Sequence, residues 1–257
     1  MASWIFLRGL TRGTAHWGRF PDEFRRAVPN SRVIPLDLPG NGALNRVPSP
    51  LSITGMVSYC RNELLRRGEK PPYYLLAMSL GAMVAAEWSY QYPNEVAGCV
   101  LINTSFRPIS PFYRRLRPHN YLSLLRLALL RSAPSDRERT ILQMTSNKVA
   151  SHAQVIPDWI ETRLEHPVKE VNALRQLMAA ASYRVPAAPP PAEVLLLASA
   201  QDKLVNVECS LAIATKWNCS LELHPSAGHD LPLDAPLWVT EQVRNWLRAR
   251  SGVATES

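Results

Sequence analysis

Residues 73–87, which read YYLLAMSLGAMVAAE, join a short apolar run to a helical pattern through one serine. The run over 73–77 has the length of a buried strand, and the residues after the serine carry apolar side chains at helical spacing. Ser79 lies between them, with the small residues Ala77 and Gly81 two positions away on either side. A nucleophile elbow requires this order, because its serine sits in a strained turn that tolerates only small neighbours. A helix N-cap serine is the alternative interpretation.

The same alternation of strand-like and helical patterns runs through most of the chain, which is typical of β-α-β units. Strands are predicted over 4–7, 32–36, 73–77, 97–103, 193–199 and 220–224. Helices are predicted over 53–67, 80–92 and 236–250. The sequence therefore predicts an α/β fold with a mostly parallel sheet flanked by helices.

The alternation stops over 106–190, where one crossover helix normally suffices but more than eighty residues intervene. Helical patterns occur over 121–131, 137–145 and 168–183. Four prolines then end this stretch, since proline cannot continue a helix: Pro186, Pro189, Pro190 and Pro191. We therefore expect a helical cap over 106–190, inserted in a core formed by 1–105 and 191–257.

Two further polar residues follow predicted strands, as Ser79 does. Asp202 follows the fifth predicted strand and His229 follows the sixth. A serine hydroxyl needs a base that accepts its proton, and a histidine oriented by a carboxylate is such a base. Taken singly, Asp202 and His229 also fit a turn carboxylate and a loop histidine. Asp230 and Asp234, which flank the histidine, are assigned to loop or helix-capping roles.

With Ser79, Asp202 and His229 in this order, the chain resembles the α/β-hydrolase fold family, of the serine esterase and lipase type. The resemblance covers nearly the whole chain outside the predicted cap, and it implies that the first two strands of the family are missing. The chain departs from the family pattern at Ala77, where glycine is usual. The resemblance implies catalysis without a metal or an organic cofactor.

By the same resemblance, two backbone N–H groups form the oxyanion hole. They belong to Leu80, which follows the serine, and to Leu10, which lies in the loop after the first strand. Gly9 and Trp17 are predicted to contact the substrate, with Gly9 allowing close approach. For Trp17, plain packing is the alternative that we favour. Arg8 stands where the family commonly has histidine.

These features predict a carboxylic ester hydrolase that forms an acyl-enzyme on Ser79, with His229 as general base and Asp202 orienting it. A serine rather than an aspartate at the elbow argues against a dehalogenase. Two alternatives remain open. One is another enzyme of the same fold: a carbon–carbon bond hydrolase, a cofactor-free haloperoxidase or an acyltransferase. The other is a non-catalytic binding protein on the hydrolase scaffold.

The chain of 257 residues has a formal charge of +8, from 29 Lys and Arg against 21 Asp and Glu. From Arg107 to Arg184 there are 13 basic and 6 acidic residues, so nearly all of the excess falls in the predicted cap. A solvated lid surface is one interpretation, and recognition of an acidic partner is the other. Cap and elbow are organised similarly to those of the pimeloyl-carrier methyl ester esterases, which implies an ester or acyl substrate on an acidic acyl carrier protein. Basic and aromatic residues are not interleaved as in nucleic-acid-binding modules, so no nucleic acid is expected.

The four cysteines, Cys60, Cys99, Cys209 and Cys219, are too scattered for a zinc site or a disulfide framework. The histidines likewise lack metal-ligand spacing. No apolar run is long enough for a signal-peptide core or for stable membrane insertion. The sequence therefore predicts a cytoplasmic protein with free thiols and no bound metal.

Overall fold

The computed structural model describes residues 1–129, 133–250 and 252. In these residues six strands form one sheet of order β2-β1-β3-β4-β5-β6, and every neighbouring pair is parallel. The strands are β1 (Ala2–Leu7), β2 (Ser31–Leu36), β3 (Tyr73–Met78), β4 (Val96–Ile102), β5 (Val194–Ser199) and β6 (Ser220–His224). All six predicted strands are confirmed, with bounds that differ by at most two residues.

Both faces of the sheet are covered, which explains why its central strands are apolar throughout rather than alternating. In β1, Ile5 and Leu7 belong to one buried cluster, and Trp4 and Phe6 belong to the cluster on the opposite face. This division follows from the two-residue period of a strand. Each such side chain contributes about 2 kcal/mol through burial.

Helices cover the two faces of the sheet. They are α1 (Phe20–Ala27), α2 (Ile53–Arg66), α3 (Leu80–Gln91), α4 (Phe112–Arg115), α5 (Tyr121–Leu129), α6 (Pro134–Thr145), α7 (Val155–Glu165), α8 (Glu170–Ser182), α9 (Glu208–Trp217), α10 (Leu231–Asp234) and α11 (Pro236–Arg250). α2, α3 and α9 pack on one face, while α1 and α11 pack on the other. The predicted helices over 53–67, 80–92 and 236–250 are confirmed as α2, α3 and α11.

Helices α1, α7 and α9 were not predicted from the sequence. Pro21 lies in the first turn of α1 and Pro157 in the first turn of α7, where proline costs no helical hydrogen bond. Phe20 and Phe24, four residues apart and both buried, are the periodic signal that identifies α1.

The β4–β5 connection, residues 103–193, contains α4 to α8. α6 begins at Pro134 rather than at residue 137, because proline fits the first helical position. α8 begins at Glu170, two residues later than predicted. α5 begins at Tyr121 as predicted, but its predicted end at Arg131 lies outside the described residues.

A buried ionic cluster joins this connection to the core. Glu138 of α6 is fully buried and accepts hydrogen bonds from Arg12 Nη1 at 2.7 Å and from Arg163 Nε at 2.5 Å. Arg12 lies in the loop after β1, and Arg163 lies in α7. Two helices of the connection, α6 and α7, are therefore held to the loop that follows the first strand. None of the helices in the described ranges is both long and apolar enough to cross a membrane.

Candidate active site

The carboxyl ends of the strands lie level with one another at one edge of the sheet. Leu7 pairs with Ala77, Met78 pairs with Ile102, and the last residues of β5 and β6 pair with each other. Residues that follow these strands therefore emerge side by side, although they are far apart in the sequence. This edge is where open α/β sheets bind their ligands.

Ser79 directly follows β3, in a strained backbone conformation with φ 53° and ψ −117°. Its N–H donates to Ile102 O at 2.9 Å, and its carbonyl accepts from Thr104 Oγ1 at 3.0 Å. Ser79 occupies the N-cap position of α3, yet among the described residues its side chain makes no capping hydrogen bond. The structure therefore does not support the N-cap interpretation, and the serine hydroxyl is left for another role.

Small residues around Ser79 allow main chains to approach closely. A Cβ atom at Gly81 would lie 2.5 Å from Leu7 O and 2.6 Å from Arg8 O, so the first turn of α3 packs directly on the end of β1. A Cβ atom at Gly9 would lie 3.1 Å from Ser79 Cβ. The loop after β1 is thus packed closely against the serine. Ala77, the departure from the usual glycine, is fully buried in β3.

Asp202 and His229 meet in a buried hydrogen bond of 2.7 Å between His229 Nδ1 and Asp202 Oδ2. The other carboxylate oxygen, Oδ1, accepts from the N–H groups of Leu204 at 2.7 Å and Val205 at 3.0 Å. Asp202 is therefore both a turn carboxylate and the partner of the histidine. Because an ionised carboxylate only accepts, Nδ1 carries a proton in the neutral ring, and Nε2 is left as an acceptor.

Two consecutive residues after β4 hold the main chains of the serine and the histidine. Asn103 Nδ2 donates to His229 O at 2.8 Å and to Ser199 Oγ at 3.0 Å, while Thr104 holds the carbonyl of Ser79. These two loops therefore lie next to each other above the ends of β3 and β4. The sequence interpretation missed both residues, although two polar side chains directly after a buried strand are a usable signal.

The two predicted oxyanion-hole residues lie beside Ser79. Leu80 is the first residue of α3, so its N–H is one of the N-terminal groups without a partner inside the helix. Leu10 directly follows Gly9 and packs partly buried against the core.

Trp17 lies in an aromatic cluster on the α1 face of the sheet, where it is 4% exposed. Its ring lies 5.2 Å from that of Phe6 and 5.7 Å from that of Phe20. The short helical turn Thr14–Trp17 directs the side chain into this cluster. Its surroundings therefore indicate packing, in place of the predicted substrate contact.

The two carboxylates that flank His229 tie its loop to other elements. Asp234 accepts hydrogen bonds from Gly228 N at 2.7 Å, Ser146 Oγ at 2.5 Å and Asn147 N at 2.9 Å, and so connects the histidine loop to the end of α6. Asp230 stands at the N-cap position of α10, but its carboxylate pairs with Arg8 instead of capping the helix. Both residues thus brace the histidine loop.

Among the residues that the structure describes, no three His, Cys, Asp or Glu side chains are grouped so as to hold a metal ion. The four cysteines are free thiols. Burial raises the pKa of Cys60 and of Cys99 to about 12, so these two thiols are protonated at neutral pH.

Comparisons with known proteins agree with this architecture. The family model described as "Alpha/beta hydrolase family" matches residues 4–242. The human protein named monoacylglycerol lipase ABHD6 is 22% identical in an alignment of 227 positions that covers 80% of this chain and 64% of that protein. The chain thus spans less than two thirds of the length of this relative.

Solved structures with the same fold include a thermophilic esterase from Thermogutta terrifontis, with a TM-score of 0.76 and 23% identity over 97% of this chain and 90% of that one. The 2-hydroxy-6-oxo-6-phenylhexa-2,4-dienoate hydrolase from Rhodococcus sp. strain RHA1 has a TM-score of 0.71 and 18% identity, and the match covers 97% of this chain and 90% of that one. At these identities the likeness concerns the fold.

Proposed function

The chain belongs to the alpha/beta hydrolase family, and from that premise we propose that it hydrolyses carboxylic esters through an acyl-enzyme on Ser79. The observation that carries the proposal is the buried 2.7 Å hydrogen bond between His229 and Asp202, on a loop held beside the strained turn of Ser79. The esterase among the structural neighbours and the lipase among the relatives support the same class of reaction.

In the first step, His229 Nε2 accepts the Ser79 hydroxyl proton while Oγ attacks the ester carbonyl carbon. Asp202 keeps the other ring nitrogen protonated and stabilises the imidazolium that forms. The carbonyl oxygen becomes an oxyanion, which the N–H groups of Leu80 and Leu10 bind. The imidazolium then returns its proton to the leaving alcohol, and the acyl group stays on Ser79.

In the second step, a water molecule loses a proton to His229 and attacks the acyl-enzyme carbonyl. Collapse of this second oxyanion releases the acid and restores the Ser79 hydroxyl. Hydrogen bonds hold the loops that carry Ser79, Asp202 and His229, so little reorganisation is needed during the reaction.

A series of p-nitrophenyl esters of increasing acyl length tests the proposal. We expect hydrolysis of every ester and an optimum in kcat/KM, because each methylene buried under the cap adds about 0.8 kcal/mol, or about fourfold. No hydrolysis of any ester, with no labelling by a fluorophosphonate probe, would contradict it.

A carbon–carbon bond hydrolase of this fold is the second candidate, because the 2-hydroxy-6-oxo-6-phenylhexa-2,4-dienoate hydrolase shares it. Turnover of a vinylogous 1,5-diketone acid with no turnover of esters would favour that reaction. Product formation from an added alcohol acceptor would favour an acyltransferase. A binding protein on the same scaffold would neither turn over esters nor react with fluorophosphonate.

We also propose that residues 106–190 form a cap over the site and that part of it receives an acidic acyl carrier protein. No Asp or Glu occurs between residues 96 and 135, so the excess charge is concentrated on a basic surface, residues 107–126. Its exposed apolar side chains are Phe112, Tyr113, Tyr121, Leu122 and Leu125. Positive charge with exposed apolar groups suits an acidic protein that presents an acyl chain.

The basic surface lies directly beside the loop that carries Asp202. Arg117 N donates to Leu204 O at 2.9 Å, Arg117 Nη1 donates to Asp202 O at 2.7 Å, and Asn206 N donates to Arg114 O at 2.9 Å. A carrier bound there would hold its acyl chain close to the candidate site. The four free thiols, three of them buried, are consistent with action in the reducing cytoplasm.

Neutralising charges on the basic surface tests whether it binds an acyl carrier protein. Replacing both Arg114 and Arg126, which are exposed, with glutamine should lower kcat/KM for an acyl-carrier ester about tenfold at low salt and leave the free methyl ester unaffected. The control replaces Arg26 and Arg248, which are exposed on the core, with glutamine. Equal rates for both substrates at low and high salt would contradict the proposal, and binding to anionic lipid vesicles alone would identify a membrane surface instead.

A further inference from the structure

Arg8 and Asp230 form a buried ion pair that the proposed mechanism does not use. Arg8 Nη1 donates to Asp230 Oδ1 at 3.0 Å, and Nη2 donates to Oδ2 at 2.6 Å. The two side chains are 4% and 3% exposed. Arg8 directly precedes Gly9, which touches Ser79, and Asp230 directly follows His229. The pair therefore joins the loop beside the serine to the loop that carries the histidine.

The order of the strands explains why such a link is useful. β6, which precedes His229, lies three strands away from β3, which precedes Ser79. The histidine loop must therefore reach back over the ends of β5 and β4. At the end of β4, Asn103 donates to the main chain of this loop at His229. At the end of β1, on the other side of β3, Arg8 donates to the side chain of Asp230. The histidine is thus anchored on both sides of the strand that carries the serine.

Arg8 is itself held in a fixed position relative to Ser79. Its guanidinium carbon lies 4.8 Å from the centre of the Trp17 ring. A Cβ atom at Gly81 would lie only 2.6 Å from the carbonyl oxygen of Arg8. The main chain of Arg8 therefore packs directly against the first turn of α3. Ser79 directly precedes the first turn of α3, and Arg8 packs against the same turn. A hydrogen bond to Arg8 therefore fixes the histidine loop relative to the nucleophile.

The pair also balances charge beside the imidazole. Burial alone would raise the pKa of Asp230, but the charge and hydrogen bonds of Arg8 outweigh it, and the pKa lies below its ordinary value. His229, whose Nδ1 binds Asp202, therefore lies next to a neutralised pair. His229 and then Arg12 are the further groups that lower the pKa of Asp230. Stability alone does not explain the pair, because apolar residues of similar volume are often as stable as a buried ion pair.

We propose that Arg8 and Asp230 are positioning residues, which set the distance between His229 Nε2 and Ser79 Oγ. This inference rests on the proposed ester hydrolysis. A purely structural pair would affect only the stability of the folded chain, whereas a positioning pair affects the kcat of the chain that remains folded.

The test compares Arg8→Met, Asp230→Asn and the double variant Arg8→Met/Asp230→Leu, which removes both charges together. We expect kcat to fall about 10- to 100-fold in all three with little change in KM, since a shift of about 1 Å costs this much. The rate at which a fluorophosphonate labels Ser79 should fall by the same factor. In Asp230→Asn the permanently charged Arg8 is left unbalanced beside the imidazole, so the acid limb of the kcat/KM profile should move to lower pH. Thermal unfolding shows how much of each variant is folded.

The matched control is Arg32→Met, which breaks the bidentate pair of Arg32 with Glu69 at the opposite end of the sheet. It should keep the kcat and the pH profile of the wild type. Wild-type kcat in a folded double variant, with an unshifted profile in Asp230→Asn, would overturn the inference while leaving the proposed function intact. A wild-type chain that neither hydrolyses esters nor reacts with fluorophosphonate would overturn both.

Discussion

Replacing Ser79 with alanine should lower kcat for a p-nitrophenyl ester by about four to six orders of magnitude. The side chain has no capping role in α3, so removing the hydroxyl takes away only the nucleophile. Stopped assays with the purified variant, together with fluorophosphonate labelling, measure the loss. KM and the thermal unfolding temperature should change little, because the hydroxyl contributes to neither packing nor the helix cap.

Two further substitutions separate the nucleophile from the turn. Ser58→Ala, on α2, removes a serine hydroxyl whose hydrogen bond is local to its own helix and should keep full activity. Ser79→Gly should be as inactive as Ser79→Ala but about 1 kcal/mol more stable, because glycine relieves the strain of a positive φ of 53°. Activity retained in Ser79→Ala would exclude Ser79 as the nucleophile.

The sheet and the three candidate catalytic residues were predictable because their signals are local. A strand such as β5, VLLLAS, is apolar throughout because both of its faces are covered, and it ends where polar residues begin. Ser79, Asp202 and His229 each follow such a strand. Parallel strands bring their carboxyl ends to one edge, so local patterns were sufficient to predict that Asp202 and His229, 27 positions apart, lie together.

The hydrogen bonds and the ion pair that hold the loops of the site were not predictable in this way, because each depends on a partner far away in the sequence. Arg8 and Asp230 are 222 positions apart, and each alone has the sequence pattern of an ordinary loop or capping residue. Asn103 bonds the histidine loop 126 positions away. The packing partners of Trp17 were unpredictable for the same reason, since Phe6 and Phe20 lie on a strand and on a helix that the local pattern does not bring together.

Replacing Asp202 with asparagine should lower kcat near neutral pH by about four orders of magnitude, through the proton on the histidine rather than through lost structure. Two backbone N–H groups, of Leu204 and Val205, donate to Oδ1. In the variant these donors retain the amide oxygen at that position, so the amide NH₂ group must face His229 Nδ1. A donor there requires Nδ1 to accept, which moves the ring proton to Nε2. The nitrogen that must take the Ser79 proton is then already protonated.

Asp202→Ala forces no tautomer but loses both turn hydrogen bonds, so it should be less stable than Asp202→Asn by about 1–3 kcal/mol and yet at least as active. The exposed Asp22→Asn, which likewise removes one carboxylate charge, should keep full activity and stability. Unfolding by urea gives the stabilities, and kcat with a short p-nitrophenyl ester gives the activities. An Asp202→Asn variant within tenfold of wild-type kcat, or one clearly more active than Asp202→Ala, would show that Asp202 does not act by choosing the tautomer of His229.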